Sequence, residues 1–251
     1  MFMFTQKSTC RLALTITALL MTSQAAHAAL ALDRTRAILD GGEKSLSMSV
    51  TNQNRELPFL AQAWVEDGQG KKLTDPLVAL PPVQRIEPGS KTQVKVQASA
   101  SMNTLPQDRE SLFYFNLREI PPKRSKPNTL QLALQTRIKL FYRPAPLAVN
   151  PNDKPWQEKV TLTREGGKFV ANNPTPYFVS IIDAAATEKG NAQKGFKPVM
   201  IAPKSSAPLS VDAGALGNSP VLTYINDYGG RPKLIFACAG NTCSVKEARK
   251  G

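Results

Sequence analysis

The side chains that could do chemistry in this 251-residue sequence are few, and their spacing argues against most of the chemistry open to them. The one histidine, His27, stands at the end of an apolar opening segment, so a chain that loses this segment keeps no imidazole. A Ser-His-Asp or Cys-His relay is thereby excluded. A zinc site would need carboxylates and two cysteines, an uncommon ligand set. Glu66 and Asp67 are neighbours in a strand-like run and therefore point to opposite faces, and Glu110 and Glu119 are the other acid pair that could serve a hydrolase. No Gly-Lys-Ser/Thr phosphate loop is present, so ATP is not expected. The residues imply no catalytic group, no metal and no cofactor, and a protein that is not an enzyme.

The opening residues carry Lys7 and Arg11, then the apolar run Leu12 to Met21, then Ala26-His27-Ala28. That order of charge, apolar stretch and small residues is the pattern of a cleavable secretory signal peptide. Its apolar run is too short for a stable membrane span. Residues 1–28 are therefore expected to be removed, with the processed chain beginning at Ala29 and Cys10 leaving with the leader. The two cysteines that remain, Cys238 and Cys243, flank Ala-Gly-Asn-Thr, and export to an oxidising space favours a single disulfide that pins a hairpin. Closing so short a loop contributes about 2 kcal/mol by the chain-entropy estimate.

The formal net charge is +13, and the leader holds only two of the cations. A basic surface often serves nucleic acid, but here the cations are scattered through short strands, with no Arg-Gly repeat and no helix-turn-helix pattern. Steering of acidic protein partners is the better reading, and no nucleic acid is expected.

Positioning falls to strands. Short apolar-alternating runs separated by Gly, Pro, Asn and Asp predict an all-β chain. In the first half the expected strands are Ala31 to Ile38, Ser45 to Thr51, Phe59 to Glu66, Val83 to Ile86, Thr92 to Ala98, Leu112 to Arg118 and Thr129 to Tyr142. Seven strands at this spacing suggest an immunoglobulin-like sandwich. A proline-rich stretch after Arg143-Pro144 cannot continue a sheet and reads as a hinge. Val160 to Arg164, Lys168 to Ala171, Tyr177 to Asp183, Phe196 to Ile201, Val221 to Asn226, Lys233 to Cys238 and Cys243 to Lys246 then predict a second sandwich, giving domains 29–148 and 149–251.

The segment Leu130 to Pro144 is the most distinctive of these. Leu130, Leu132 and Leu134 share one face of a strand, while Gln131, Ala133 and Gln135 share the other. A row of leucines near a strand's beginning is an edge that seeks a partner, unless it packs into the protein's own core as Ile138 and Leu140 must.

Glu110-Ser-Leu-Phe-Tyr-Phe-Asn-Leu-Arg-Glu-Ile-Pro-Pro122 and the strand ending Ile138-Lys-Leu-Phe-Tyr-Arg-Pro144 resemble the signature of periplasmic pilus-assembly chaperones. Leu32-Asp-Arg-Thr-Arg36, Leu60-Ala-Gln-Ala-Trp64, Pro81-Pro-Val-Gln-Arg85, Asn173-Pro-Thr-Pro-Tyr177 and Thr223-Tyr-Ile-Asn-Asp-Tyr-Gly-Gly-Arg-Pro232 extend the resemblance over both halves. It implies two immunoglobulin-like sandwiches in a boomerang arrangement, located in the periplasm. Pilin subunits and a tip adhesin are the implied partners, held by donor-strand complementation and passed to an outer-membrane usher.

By the same resemblance, Arg36 and Lys139 grip the subunit's C-terminal carboxylate, and Leu130, Leu132 and Leu134 fill the subunit's open groove. Glu110, Arg143 and Asp227 match an interdomain charge network that holds the two domains in orientation. The short connection Pro121 to Asn128 resembles the branch that assembles rod-like, tip-adhesin pili, and its Lys123, Arg124 and Lys126 keep an exposed edge soluble. A self-capping homodimer through the leucine edge is a further implied partner. The alternatives are a structural pilus subunit or another secreted immunoglobulin-like binding protein, such as a sugar-binding sandwich.

Overall fold

A computed structural model of the chain describes residues 28–123, 130–150 and 152–251. The expected leader lies outside these residues except for Ala28, and so do Arg124, Lys126 and Thr129. The protein is built almost entirely of strands in two domains.

The first domain contains β1 (Leu30–Leu32), β2 (Arg36–Asp40), β3 (Ser45–Asn52), β4 (Phe59–Glu66), β5 (Lys72–Leu73), β6 (Leu77–Leu80), β7 (Val83–Ile86), β8 (Lys91–Ala98), β9 (Ser111–Ile120) and β10 (Gln135–Arg143). One sheet runs β1-β3-β8-β6, the other β2-β10-β9-β4-β5, and β7 pairs with β4. Alternate residues of each strand point inward, so Met48, Val50, Val94 and Val96 of one sheet meet Val65, Phe115, Leu117 and Leu140 of the other in a single core.

The expected strand Ala31 to Ile38 is two strands. Asp33-Arg34-Thr35 interrupts it, β1 pairs antiparallel with β3, and β2 crosses to the other sheet to pair parallel with β10. This switch brings the second half of the domain's opening run beside the domain's last strand, which decides the geometry of the site. At its far end β2 turns at Gly41, where an added Cβ would lie 2.5 Å from the Ala145 nitrogen, so glycine is required for the interdomain linker to pass.

The second domain contains β11 (Thr161–Glu165), β12 (Lys168–Asn173), β13 (Val179–Ala185), β14 (Val199–Ile201), β15 (Ser205–Asp212), β16 (Val221–Ile225), β17 (Lys233–Ala239) and β18 (Thr242–Arg249). Hydrogen bonding follows the path β14-β13-β16-β17-β18-β11-β12-β15. Consecutive strands β14 and β15 sit at opposite ends of that path and are joined by residues 202–204 alone, so the sheet must fold back over itself. Phe169, Ile181, Leu222, Tyr224 and Phe236 fill the space it encloses. Cys238 and Cys243 face each other across the β17–β18 hairpin and form a disulfide, with Cα atoms 3.8 Å apart.

Candidate functional site

The parallel register of β2 and β10 places Arg36 directly opposite Lys139. Ala37 and Leu39 of β2, and Ile138 and Leu140 of β10, point into the core, so both cations project from the sheet's other face, toward the second domain. There the Arg36 guanidinium donates to the Ile225 carbonyl at 3.0 Å, and Lys139 Nζ donates to Ser180 Oγ at 3.2 Å. Arg36 is 8% exposed. Among the described residues neither cation has a carboxylate within 4.0 Å. Burial pulls the Arg36 pKa below its ordinary value, although Asp227 and Glu110 favour the charge from a distance. Burial, and secondarily the Arg36 charge, pull Lys139 below its ordinary value. Two like charges side by side and partly desolvated form a site that gains by accepting an anion, and a carboxylate can accept hydrogen bonds from both.

Two pleat repeats further along β10, Arg143 is built differently. Its Nε and Nη2 donate to Glu110 Oε1 at 2.9 and 2.8 Å, and Nη2 also reaches Asp227 Oδ2 at 2.9 Å. Glu110 Oε2 accepts the Phe178 N–H at 2.8 Å, and the Glu110 N–H donates to the Pro176 carbonyl at 2.9 Å. Glu110 and Arg143 belong to the first domain, while Asp227, Phe178 and Pro176 belong to the second. Burial pushes the Glu110 carboxyl up, against the pull of Arg143 and the Phe178 N–H. The guanidinium is 5.0 Å from the Trp156 ring and 5.2 Å from the Tyr177 ring, whose centroids lie 4.6 Å apart. The Tyr177 hydroxyl donates to the Leu147 carbonyl at 3.0 Å, tying the linker to this cluster.

The leucine row departs from its expected form. The strand predicted from Thr129 begins at Gln135, and residues 130–134 run on from β10 without strand pairing of their own. Among the described residues two hydrogen bonds hold them: the Glu119 N–H donates to the Leu134 carbonyl at 2.9 Å, and Gln131 Nε2 donates to the Pro122 carbonyl at 2.7 Å. Leu130, Leu132 and Leu134 are 82%, 64% and 44% exposed, whereas Ile138 and Leu140, of the same parity, are buried. The apolar stripe of this strand thus continues past the end of the sandwich, where the opposite sheet no longer covers it. The leucines do not pack into the protein's own core.

The carboxylates weighed for hydrolysis do not converge. Glu66 pairs with Arg137 at 3.0 Å and accepts the Trp64 indole N–H at 2.7 Å. Asp67 accepts turn N–H groups from Gln69 and Lys71, and Glu110 is held by Arg143. Ser180 and the Ile225 carbonyl, the partners of the two free cations, carry no sequence signal, because strand polarity alone does not say which serine faces a distant domain.

Comparison with known proteins agrees with this geometry. Residues 29–148 match the family described as pili and flagellar-assembly chaperone, PapD N-terminal domain, and residues 155–236 match pili assembly chaperone PapD, C-terminal domain. The chain belongs to this family of pilus-assembly chaperones, and its function is that of a fimbrial chaperone. It is 54% identical over 232 residues to the probable fimbrial chaperone YfcS of Escherichia coli K12, covering 92% of each chain. It is 51% identical over 225 residues to the chaperone protein PapD of Escherichia coli, covering 89% of this chain and 92% of that one. Among solved structures, the periplasmic chaperone SfaE is 29% identical with a TM-score of 0.66, over 82% of this chain and 98% of that one. The Salmonella enterica SafB chaperone, solved in complex with SafA pilin, shares the fold at 22% identity and a TM-score of 0.69, over 85% and 98% of the two chains.

Proposed function

We propose that this protein is exported by a cleavable leader to the periplasm, where it captures pilin subunits and a tip adhesin by donor-strand complementation and delivers them to an outer-membrane usher. The observation that carries this reading is the pairing of Arg36, buried, with Lys139, half-buried, side by side and without a carboxylate partner among the described residues, at the root of the strand that bears the exposed leucines. A subunit's terminal carboxylate seated on the two cations supplies the missing counter-charge. From that anchor the distance to each leucine is set by strand geometry: five residues separate Lys139 from Leu134, about 17 Å at roughly 3.3 Å per residue. Fixing the chain end thus fixes the register in which Leu134, Leu132 and Leu130 meet successive pockets, since a slip of one residue would turn every side chain away. Full burial of one leucine contributes about 1.5–3 kcal/mol, and the sum must exceed the entropy lost on association.

Free chaperone exposes the same row, and an unpaired apolar edge is an association hazard. The reading therefore includes a reversible self-capping homodimer, seen as a concentration-dependent mass in sedimentation that subunits abolish. No turnover is involved at any stage.

The test uses a synthetic peptide bearing a pilin C-terminal segment, with either a free carboxylate or a carboxamide end. The carboxamide should bind much more weakly than the acid to the wild-type protein, and the two should bind alike to Lys139→Ala. Equal binding of both peptides to the wild type would refute the anchor.

A further inference from the structure

At the opposite end of the first domain from the cleft, Glu119 stands on the core-facing side of β9 and is only 6% exposed. Among the described residues its side chain accepts one hydrogen bond, from the Leu30 N–H at 3.0 Å, and has no lysine or arginine within 4.0 Å. The surrounding groove is formed by Ala29, Asn54, Phe59, Pro121 and Leu130 to Leu132, which contribute no charge. Among the described residues, the charged ones in the adjoining segments, Arg55, Glu56 and Lys123, are exposed. A carboxylate left alone in such surroundings is disfavoured unless a cation joins it.

Ala29 is the residue at which the processed chain is expected to begin, and it is already held in place: its carbonyl accepts the Gln53 N–H at 2.7 Å, one residue before the N–H that Glu119 binds. We infer that the α-ammonium created at Ala29 by leader removal is the missing counter-ion of Glu119, so that processing completes a buried ion pair at the foot of the leucine row. The inference rests on the leader reading. Hydrolysis of the Ala28–Ala29 peptide bond by a signal peptidase, with water as co-reactant, leaves Ala28 as the leader's carboxylate and turns the Ala29 amide nitrogen into an ammonium. Before that step the same nitrogen is a neutral amide, and among the described residues Glu119 has no cation. The pair ties β1, whose Leu30 lies in the core, to β9, whose Glu119 N–H in turn holds the Leu134 carbonyl. It therefore stiffens the base of the client-binding segment without touching the client's anchor.

The protein isolated from the periplasm is first sequenced at its N-terminus; a start other than Ala29 overturns both the leader boundary and the pair. With a start at Ala29 established, the α-amine is dimethylated with labelled formaldehyde, which keeps its charge, and titrated by NMR. It should titrate above the ordinary α-amino range of about 7.7 to 8.0 in the wild type and fall back into that range in Glu119→Gln. Stability supplied by the pair is then complete below the ordinary α-amino value and lost as pH rises through the raised one. Should Glu119→Gln fold poorly, a chain extended by Ala28 gives the same comparison, since it moves the ammonium one residue away and should melt below the processed form. An α-amine that titrates in its ordinary range in the folded wild type, or an extended form of equal stability, overturns the pair and leaves the leader boundary standing.

Discussion

Two cation sites lie on one face of β10, four residues apart, and they are finished to different degrees. Arg143 is enclosed by two carboxylates and two aromatic rings contributed by both domains. Lys139, with Arg36 beside it, has neutral oxygens for partners and no carboxylate among the described residues. A charge whose pairing is complete within the chain has no reason to bind anything else, so Arg143 serves the joint between the domains. A charge pair left incomplete, in partly buried surroundings that disfavour it, suits an anion from outside, the role proposed for Arg36 and Lys139. The contrast separates architecture from function within about 13 Å of strand.

Arg36→Ala or Lys139→Ala should cause the largest effect, loss of stable subunit complexes in periplasmic co-purification, while the melting temperature stays the same or rises slightly because an unpaired buried charge is gone. A large fall in melting temperature would place these residues in the same class as Arg143. For Arg143→Ala the expectation is the reverse: Glu110 is left buried without its cation, and breaking such a pair costs about 3–5 kcal/mol, read as reduced denaturant stability together with a changed interdomain geometry in small-angle scattering. Leu132→Ala should weaken subunit binding by about 2 kcal/mol, near thirtyfold, with stability unchanged, because the side chain is exposed in the free protein.

Removing the disulfide with Cys238→Ala and Cys243→Ala tests a region remote from both cation sites. About 2 kcal/mol of stability should be lost, with subunit capture intact at temperatures below the melt. The smallest effect is in pH. Because burial and Arg36 hold the Lys139 pKa below its ordinary value, Lys139 discharges at a lower pH than a surface lysine, and carboxylate binding should decline through that range, while Lys139→Arg removes the decline. In the same window the unfolded chain binds more protons than the folded one, so this group's contribution to stability rises with pH. Calorimetric titrations of binding and of unfolding against pH check the two signs.

Strand content and the order of the apolar runs were readable because alternation is a local property. Failures occurred where the surroundings override local pattern. Leu77–Leu80 was missed as a strand because Pro76 and Pro81 bracket it as a turn would be bracketed. Ser205–Asp212 was missed because Pro208 interrupts it, yet β15 lies at the end of its sheet's path, where a proline is tolerated. The opening run reads as one continuous strand, since nothing local distinguishes a strand that changes sheets at Asp33-Arg34-Thr35 from one that does not. Leu130, Leu132 and Leu134 have the same parity as Ile138 and Leu140, so periodicity leaves open whether they are covered.

What the residue order determined on its own was therefore the period of the chain, the leucine stripe, the pairable cysteines and, through its long motifs, the family. The tertiary structure decided where the stripe leaves the core, that Arg36 and Lys139 stand opposite each other, and that Arg143 has acid partners where, among the described residues, they have none. Side-chain direction along a strand follows from backbone geometry over two residues. Whether a charge meets a counter-charge depends on segments far along the chain, as in the ion pair of Arg143 with Asp227, and only the folded chain brings those together.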